Sequence, residues 1–308
     1  LTTQRRAELL LLSATVIWGS TFVVTKGLLD VATPLIYTSV RFLLGGAVIA
    51  AIFPRRVLSG RKPALVHGTI LGLLLFAGFA LQTVGLQTTT ASKSAFFTGM
   101  LVVFTPVFHA AAQRWMSLPR KSLLSGNLLG VVMATVGLYL LTSPEGGGFA
   151  PGDAMTLAAA ALFALYIIYL DALPAGIDAM ALTFVIFISC GIAGGAGALL
   201  WEDVRVVPGA SFYVPLAYLT LFATVIALGV QNRYQADTTP TRAAVIFSLE
   251  PVLAALFAYG FRGESLGTAG LAGAAIIFCG LILSELSESI PLLRIPVPGS
   301  GQRAPGTG

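Results

Sequence analysis

The chain has 308 residues, 56% of them hydrophobic and only 10% charged, with a mean hydropathy of +0.89. That is more apolar surface than a soluble core can hide, so the chain belongs in a bilayer. The net charge of +5 and pI near 9.4 would suit nucleic-acid binding, but the basic residues lie in short clusters between apolar runs, where membrane topology explains them, rather than on one folded face.

A spanning helix needs ~20 largely apolar residues. Ten windows meet this, at about 8–28, 33–53, 65–88, 92–114 and 122–141, then 152–171, 178–200, 211–233, 241–261 and 266–286. A β-barrel would alternate in polarity over ~10-residue strands, and these runs do not. The first window follows Arg5 and Arg6 like a secretory signal, but it is too long and carries Trp18-Gly19-Ser20 at its centre, so an uncleaved first span is expected. Cys190 and Cys279 lie in apolar segments as small packing residues, and no disulfide framework or metal site is expected. The segment after Ser289, with Pro291, Pro296, Pro298 and Pro305 among glycines, reads as a disordered cytoplasmic tail.

The chain is duplicated. The stretch Gln82–Pro106 is a degenerate copy of Gln231–Pro251: at one constant offset Gln82 meets Gln231, Thr89 and Thr90 meet Thr238 and Thr239, Lys93 meets Arg242, and Ala95 meets Ala244. Gly130 to Leu138 likewise matches Gly273 to Leu281, and Trp18 falls opposite Phe163. The expected division is a first five-helix repeat over 1–147, a second over 148–288 and the tail over 289–308. An odd number of spans per repeat forces the second copy to enter the membrane inverted, an architecture suited to alternating access. The expected fold is therefore all-α, a polytopic membrane protein of ten transmembrane helices in two inverted five-helix repeats. Glycines at four-residue spacing, such as Gly68 and Gly72 or Gly191 and Gly195, allow close helix packing.

Lysine and arginine set the orientation. With the N-terminus in the cytoplasm, thirteen of the eighteen fall inside, four (Lys26, Lys93, Arg205, Arg262) fall outside and Arg41 lies within span two. Both termini are therefore expected to be cytoplasmic.

Polar groups inside spans are costly and invite a functional reading. Gln82, Gln231 and Asn232 sit near the ends of spans three and eight, where their amides either bond a substrate's carboxylate or amine or cap helices. Trp18, Ser20, Phe163 and Tyr166 are candidates for the walls of a substrate site, against the alternative of aromatic packing. Lys93 and Arg242, each at the start of a helix and on opposite faces, are candidate gates that pair with a carboxylate, or else snorkelling interfacial cations. Pro106 and Pro251 each remove a backbone donor and are candidates for hinges or site-lining breaks. Glu250, directly before Pro251, is the one carboxylate within the apolar core of a span. It is a candidate proton carrier, or an ion-pair partner of Arg41 or another base that locks helix packing. Aligned on the prolines, its counterpart in the first repeat is Thr105.

Several of these strings resemble one family. Trp18-Gly19-Ser20-Thr21-Phe22, Arg41-Phe42-Leu43, Ala91 to Phe96, Gly152-Asp153, Ser248-Leu249-Glu250-Pro251 and Gly263-Glu264 are similar, in order and over about residues 8–286, to ten-span members of the drug/metabolite transporter superfamily built from two EamA domains. The resemblance implies a carrier in a bacterial inner membrane whose spans one, three, four, six, eight and nine surround a central cavity. It implies small organic solutes as substrates, often exported amino acids or related metabolites and sometimes drugs, with proton linkage common and no cofactor. Two departures stand out. The chain has Trp115-Met116-Ser117 where the family usually has Gly-Glu, and thirteen residues separate Lys93 from Pro106 against nine from Arg242 to Pro251.

Two other classes compete. A membrane-embedded enzyme would need a nucleophile and base or a metal motif, whereas His67 and His109 stand on separate segments without metal spacing. A channel is echoed by Thr83-Val84-Gly85-Leu86, but without a re-entrant loop.

Overall fold

In the computed structural model, residues 2–58, 62–115, 125–142, 150–262 and 267–286 are described. The tail from 289, the expected junction of the repeats at 143–149, Gly263-Glu264 and Met116-Ser117 lie outside them. The described chain is helical. The first repeat contains α1 (Thr3–Leu28), α2 (Pro34–Ile52), a short α3 (Pro54–Leu58), α4 (Lys62–Gly85), α5 (Ala91–Gly99), α6 (Leu101–Trp115) and α7 (Ser125–Thr142). The second contains α8 (Pro151–Asp171), α9 (Ala179–Trp201), α10 (Ala210–Tyr218), a π-helix (Leu219–Ile226), α11 (Ala227–Tyr234), a 3-10 turn (Gln235–Asp237), α12 (Pro240–Phe247), α13 (Glu250–Arg262) and α14 (Thr268–Leu286).

Among the described residues, eight segments are long and apolar enough to span a bilayer, and Leu128–Leu140 and Thr268–Gly280 are shorter apolar stretches at the ninth and tenth positions. Helices suit this setting because each satisfies its own backbone donors where no water can. Their starts are marked by side chains: Asp178 accepts from the Met180 and Ala181 amides, and Thr90 and Thr239 accept from Lys93 and Arg242.

Packing between the repeats recurs with the partners exchanged. α7 lies on its mate α14 and α2 on its mate α9; α4 meets α8 as α11 meets α1, and α6 meets α8 as α13 meets α1. This is the contact pattern of two inverted copies about a pseudo-two-fold axis. Small residues set the separations. A Cβ on Gly152 would stand 2.2 Å from the Gly85 carbonyl oxygen, and one on Gly19 would stand 2.5 Å from Leu253 Cβ, so α8 meets the end of α4, and α1 meets α13, at distances only glycine permits.

Spans four and nine are each broken once, at matching places. α5 gives way to α6 at Met100, whose amide donates to the Phe97 carbonyl at 3.2 Å; α12 gives way to α13 at Ser248-Leu249, where the Leu249 amide donates to Ile246 at 3.1 Å. The breaks therefore keep the same offset as Gln82 and Gln231. This corrects the alignment on prolines. The counterpart of Glu250 is Leu101, not Thr105, and the prolines are not position-matched: Pro106 lies inside α6, while Pro251 is the second residue of α13. An amide is not needed in the first turn of a helix, so Pro251 is well accommodated there.

Candidate functional site

Where the two repeats face each other they line a partly open cavity, about 580 Å³ of empty space when the solvent at its opening is included. Its lining falls largely into mates under the duplication. Trp18 and Thr21 of α1 answer Phe163 and Tyr166 of α8; Phe79 and Gln82 of α4 answer Leu228 and Gln231 of α11; Thr98 and Leu101 answer Phe247 and Glu250. The pseudo-two-fold axis thus passes through the cavity. Spans one, three, four, six, eight and nine all contribute, and span two adds Arg41.

The walls are aromatic. Trp18 meets Phe247 edge-on at 5.4 Å between ring centroids, and Phe79 meets Phe163 edge-on at 5.4 Å. Such contacts fix rings that would otherwise close the space. Amides are held too: Gln82 Nε2 donates to Thr98 Oγ1 at 2.9 Å, and Gln231 Nε2 donates to Gln235 Oε1 at 2.8 Å.

The fixed charges break the symmetry. Arg41 is buried, with its Nε donating to Thr224 Oγ1 at 2.5 Å, Nη1 donating to Tyr37 Oη at 2.9 Å, and its guanidinium 5.0 Å from the centre of the Phe79 ring. Glu250 opens α13 on the opposite repeat. No ion pair joins the two, and neither forms a salt bridge among the described residues. The hydrogen bonds to Tyr37 and Thr224, together with the ring face of Phe79, stand in place of a pairing with Glu250. Of these partners the π-helix supplies Thr224, and its Ala223 carbonyl accepts the Trp18 indole N–H at 3.0 Å. α4, which holds the equivalent place in the first repeat, is an ordinary α-helix.

Other sequence candidates lie off the cavity. Ser20 Oγ turns to Ile17 and to Tyr218 Oη, 2.6 Å away. Asn232 stands behind the wall, where its Oδ1 accepts from the Tyr166 hydroxyl and its Nδ2 donates to Thr183 Oγ1 at 3.2 Å. Pro106 and Pro251 are not among the lining residues. Lys93 and Arg242 lie beyond the cavity, each five residues before a lining residue, Thr98 and Phe247.

At these ends sit two carboxylates to which the sequence reading gave no role in the site, Asp153 having been noted only within the Gly152-Asp153 string. Glu8 of α1 pairs with Arg242 Nε at 3.1 Å and accepts from Thr238 Oγ1 at 3.0 Å. Asp153 of α8 pairs with Lys93 Nζ at 3.9 Å and accepts from the Thr89 hydroxyl. The signal was present, since Glu8 and Asp153 are related by the offset that relates Trp18 to Phe163.

A family model described as the EamA-like transporter family matches residues 5–143 and again 150–286. The chain belongs to the EamA-like transporter family. It is a multi-pass membrane transporter of the drug/metabolite transporter superfamily, made of two EamA domains. An uncharacterized transporter of Archaeoglobus fulgidus is 31% identical over 284 residues, covering 91% of this chain and 86% of that protein. The uncharacterized inner membrane transporter YedA of Escherichia coli is 26% identical, covering 89% and 88%. An S-adenosylmethionine/S-adenosylhomocysteine transporter of Chlamydia muridarum is 26% identical, covering 87% and 89%. One solved crystal structure superposes with a TM-score of 0.77 at 21% identity, over 92% of this transporter and 97% of that chain, and attests the fold.

Proposed function

We propose that this transporter is a saturable secondary carrier for small zwitterionic or uncharged organic solutes, amino acids or related metabolites foremost, which it exports by alternating access. The observation that carries the reading is the cavity itself: aromatic walls and amides, with one guanidinium and one carboxylate contributed by different repeats. An α-amino acid presents a carboxylate to Arg41 and an ammonium to Glu250, while its side chain packs on Trp18, Phe79, Phe163 and Phe247. A phosphorylated solute would want converging cations, and Arg41 is the only cation in the described lining. The relative named for S-adenosylmethionine supports the class, because that molecule joins an amino-acid head to an aromatic base. Glu250 is also the proton carrier in this reading, binding a proton on one side and releasing it on the other as the cavity alternates. The membrane is a bacterial inner membrane with both termini in the cytoplasm, a reading supported by the lysine and arginine distribution and by the name of the Escherichia coli relative.

Thermal unfolding of the purified transporter against a panel of zwitterionic amino acids, nucleosides and sugar phosphates tests the substrate class, since a ligand bound to the folded state raises its apparent stability. Stabilisation by zwitterions is expected, and selective stabilisation by a sugar phosphate would reject the class. Orientation is tested by single cysteines at Leu58 and Val204 in a chain lacking Cys190 and Cys279. An impermeant maleimide should reach the first only from the cytoplasm and the second only from outside, and the reverse pattern would overturn the topology.

A further inference from the structure

We infer that the Glu8–Arg242 and Asp153–Lys93 pairs are the two gates of the carrier, one at each mouth of the cavity, both formed in this structure, and that a mouth opens by breaking its own pair while the other stays formed. The inference rests on the carrier reading and adds the groups that make it work. Each pair joins the first span of one repeat to the fourth span of the other: Glu8 of α1 to Arg242 of α12, and Asp153 of α8 to Lys93 of α5. Each carboxylate also accepts a threonine hydroxyl from the turn just before the partner helix, Thr238 in one case and Thr89 in the other. All three members correspond under the duplication, so the two clusters are one device built twice and inverted.

Position gives the device its function. Both basic residues sit on the half of a broken span that lies between the break and the mouth, so α12 and α5 can swing about Ser248-Leu249 and Met100 without carrying α13 and α6 with them. A contact within one repeat would travel with that repeat. These contacts cross between repeats, so relative movement of the repeats must break one of them to open its mouth. An ion pair is suited to this because the separated charges are rehydrated when the mouth fills with water.

The test uses a single cysteine at the cavity-lining Thr21 in a chain with Cys190→Ala and Cys279→Ser, reconstituted in vesicles and labelled from either side by an impermeant maleimide. The parent should be labelled slowly from each side, at a rate set by how often that mouth opens. Glu8→Gln should raise the rate from the cytoplasmic side at least tenfold, and Asp153→Asn should raise it from the external side. In addition, the exchanged pair Glu8→Arg with Arg242→Glu should return the first rate towards the parent's. A parent whose Thr21 cysteine reacts from one side only, with or without substrate, would reject the carrier reading itself. A parent labelled from both sides whose two variants are unchanged, or change on the same side, would reject the gates alone. Failure of both single variants and the exchanged pair to yield folded protein also rejects them, since a gate must open in the folded transporter.

Discussion

The mouths of the cavity and its middle treat the duplication differently. At the mouths the charges come in matched sets, a carboxylate, a threonine and a basic residue at equivalent positions of both repeats. In the middle the matched set is apolar, aromatic or amide, and the charges are unmatched: Leu101 stands where the other repeat has Glu250, and Arg41 comes from span two alone. On the carrier reading proposed above, the difference follows from what each region would do. Two mouths that perform one movement in opposite senses can use one device twice, whereas a solute with unlike ends needs unlike walls. Even the matched mouths are not equal in strength. The side chains of Glu8 and Arg242 are 7% and 4% exposed at 3.1 Å, but Lys93 is 27% exposed and 3.9 Å from Asp153.

That inequality predicts the largest effect. Removing one partner of a buried pair costs about 3–5 kcal/mol because it strands the other charge, so Arg242→Gln should be the most destabilising of the charge substitutions. Its unfolding in detergent, followed by heat or denaturant, should show that loss. If Arg242→Gln is as stable as the parent, the pair is not the closed seal of its mouth.

In the middle, a hydrogen bond to a charged group contributes about 1.5–3 kcal/mol, which makes Arg41→Gln roughly ten- to hundredfold weaker in binding a zwitterionic ligand. Glu250→Gln should weaken binding of a zwitterionic ligand, because it removes the partner of the ammonium, and should abolish the dependence of the remaining flux on a pH gradient. Flux in that variant that still follows the gradient would remove Glu250 as the proton carrier. The central comparison fails if Leu101→Ala changes affinity as much as Arg41→Gln, because the asymmetry would then lie in shape rather than charge. Lys93→Gln should have the smallest effect, because Lys93 is 27% exposed and 3.9 Å away while buried Asp153 keeps its hydrogen bonds from Thr89 and the Ala150 amide, and raising salt should shrink the effect further.

Much of this was legible in the sequence. Ten apolar runs give the fold, since length and hydropathy suffice when every backbone group must be satisfied within its own helix. The offset from Gln82 to Gln231 matched the threonine turns and the basic residue after each, while the breaks were expected at Pro106 and Pro251. What the sequence hid was register and direction. The prolines drew the eye to Thr105 as the mate of Glu250, although the break follows the hydrogen-bonding pattern at Met100 and Leu249 rather than the missing amides. Ser20 and Asn232 were close in sequence to cavity residues, but a helix turns ~100° per residue, which carries Ser20 to Tyr218 and Asn232 behind Tyr166. The π-helix left no sequence signal, because its five-residue hydrogen bonds arise from packing, and with it Thr224 as a partner of Arg41 stayed out of sight.

The measurement that bears most directly on the account is counterflow. Vesicles containing the purified transporter are loaded with an unlabelled amino acid that stabilises it, then diluted into a trace of the same compound carrying a radiolabel. A carrier whose cavity alternates between matched mouths predicts transient accumulation of label above equilibrium, saturating with concentration and reduced in Arg41→Gln. Uptake that rises linearly with concentration and is indifferent to the internal load would contradict it.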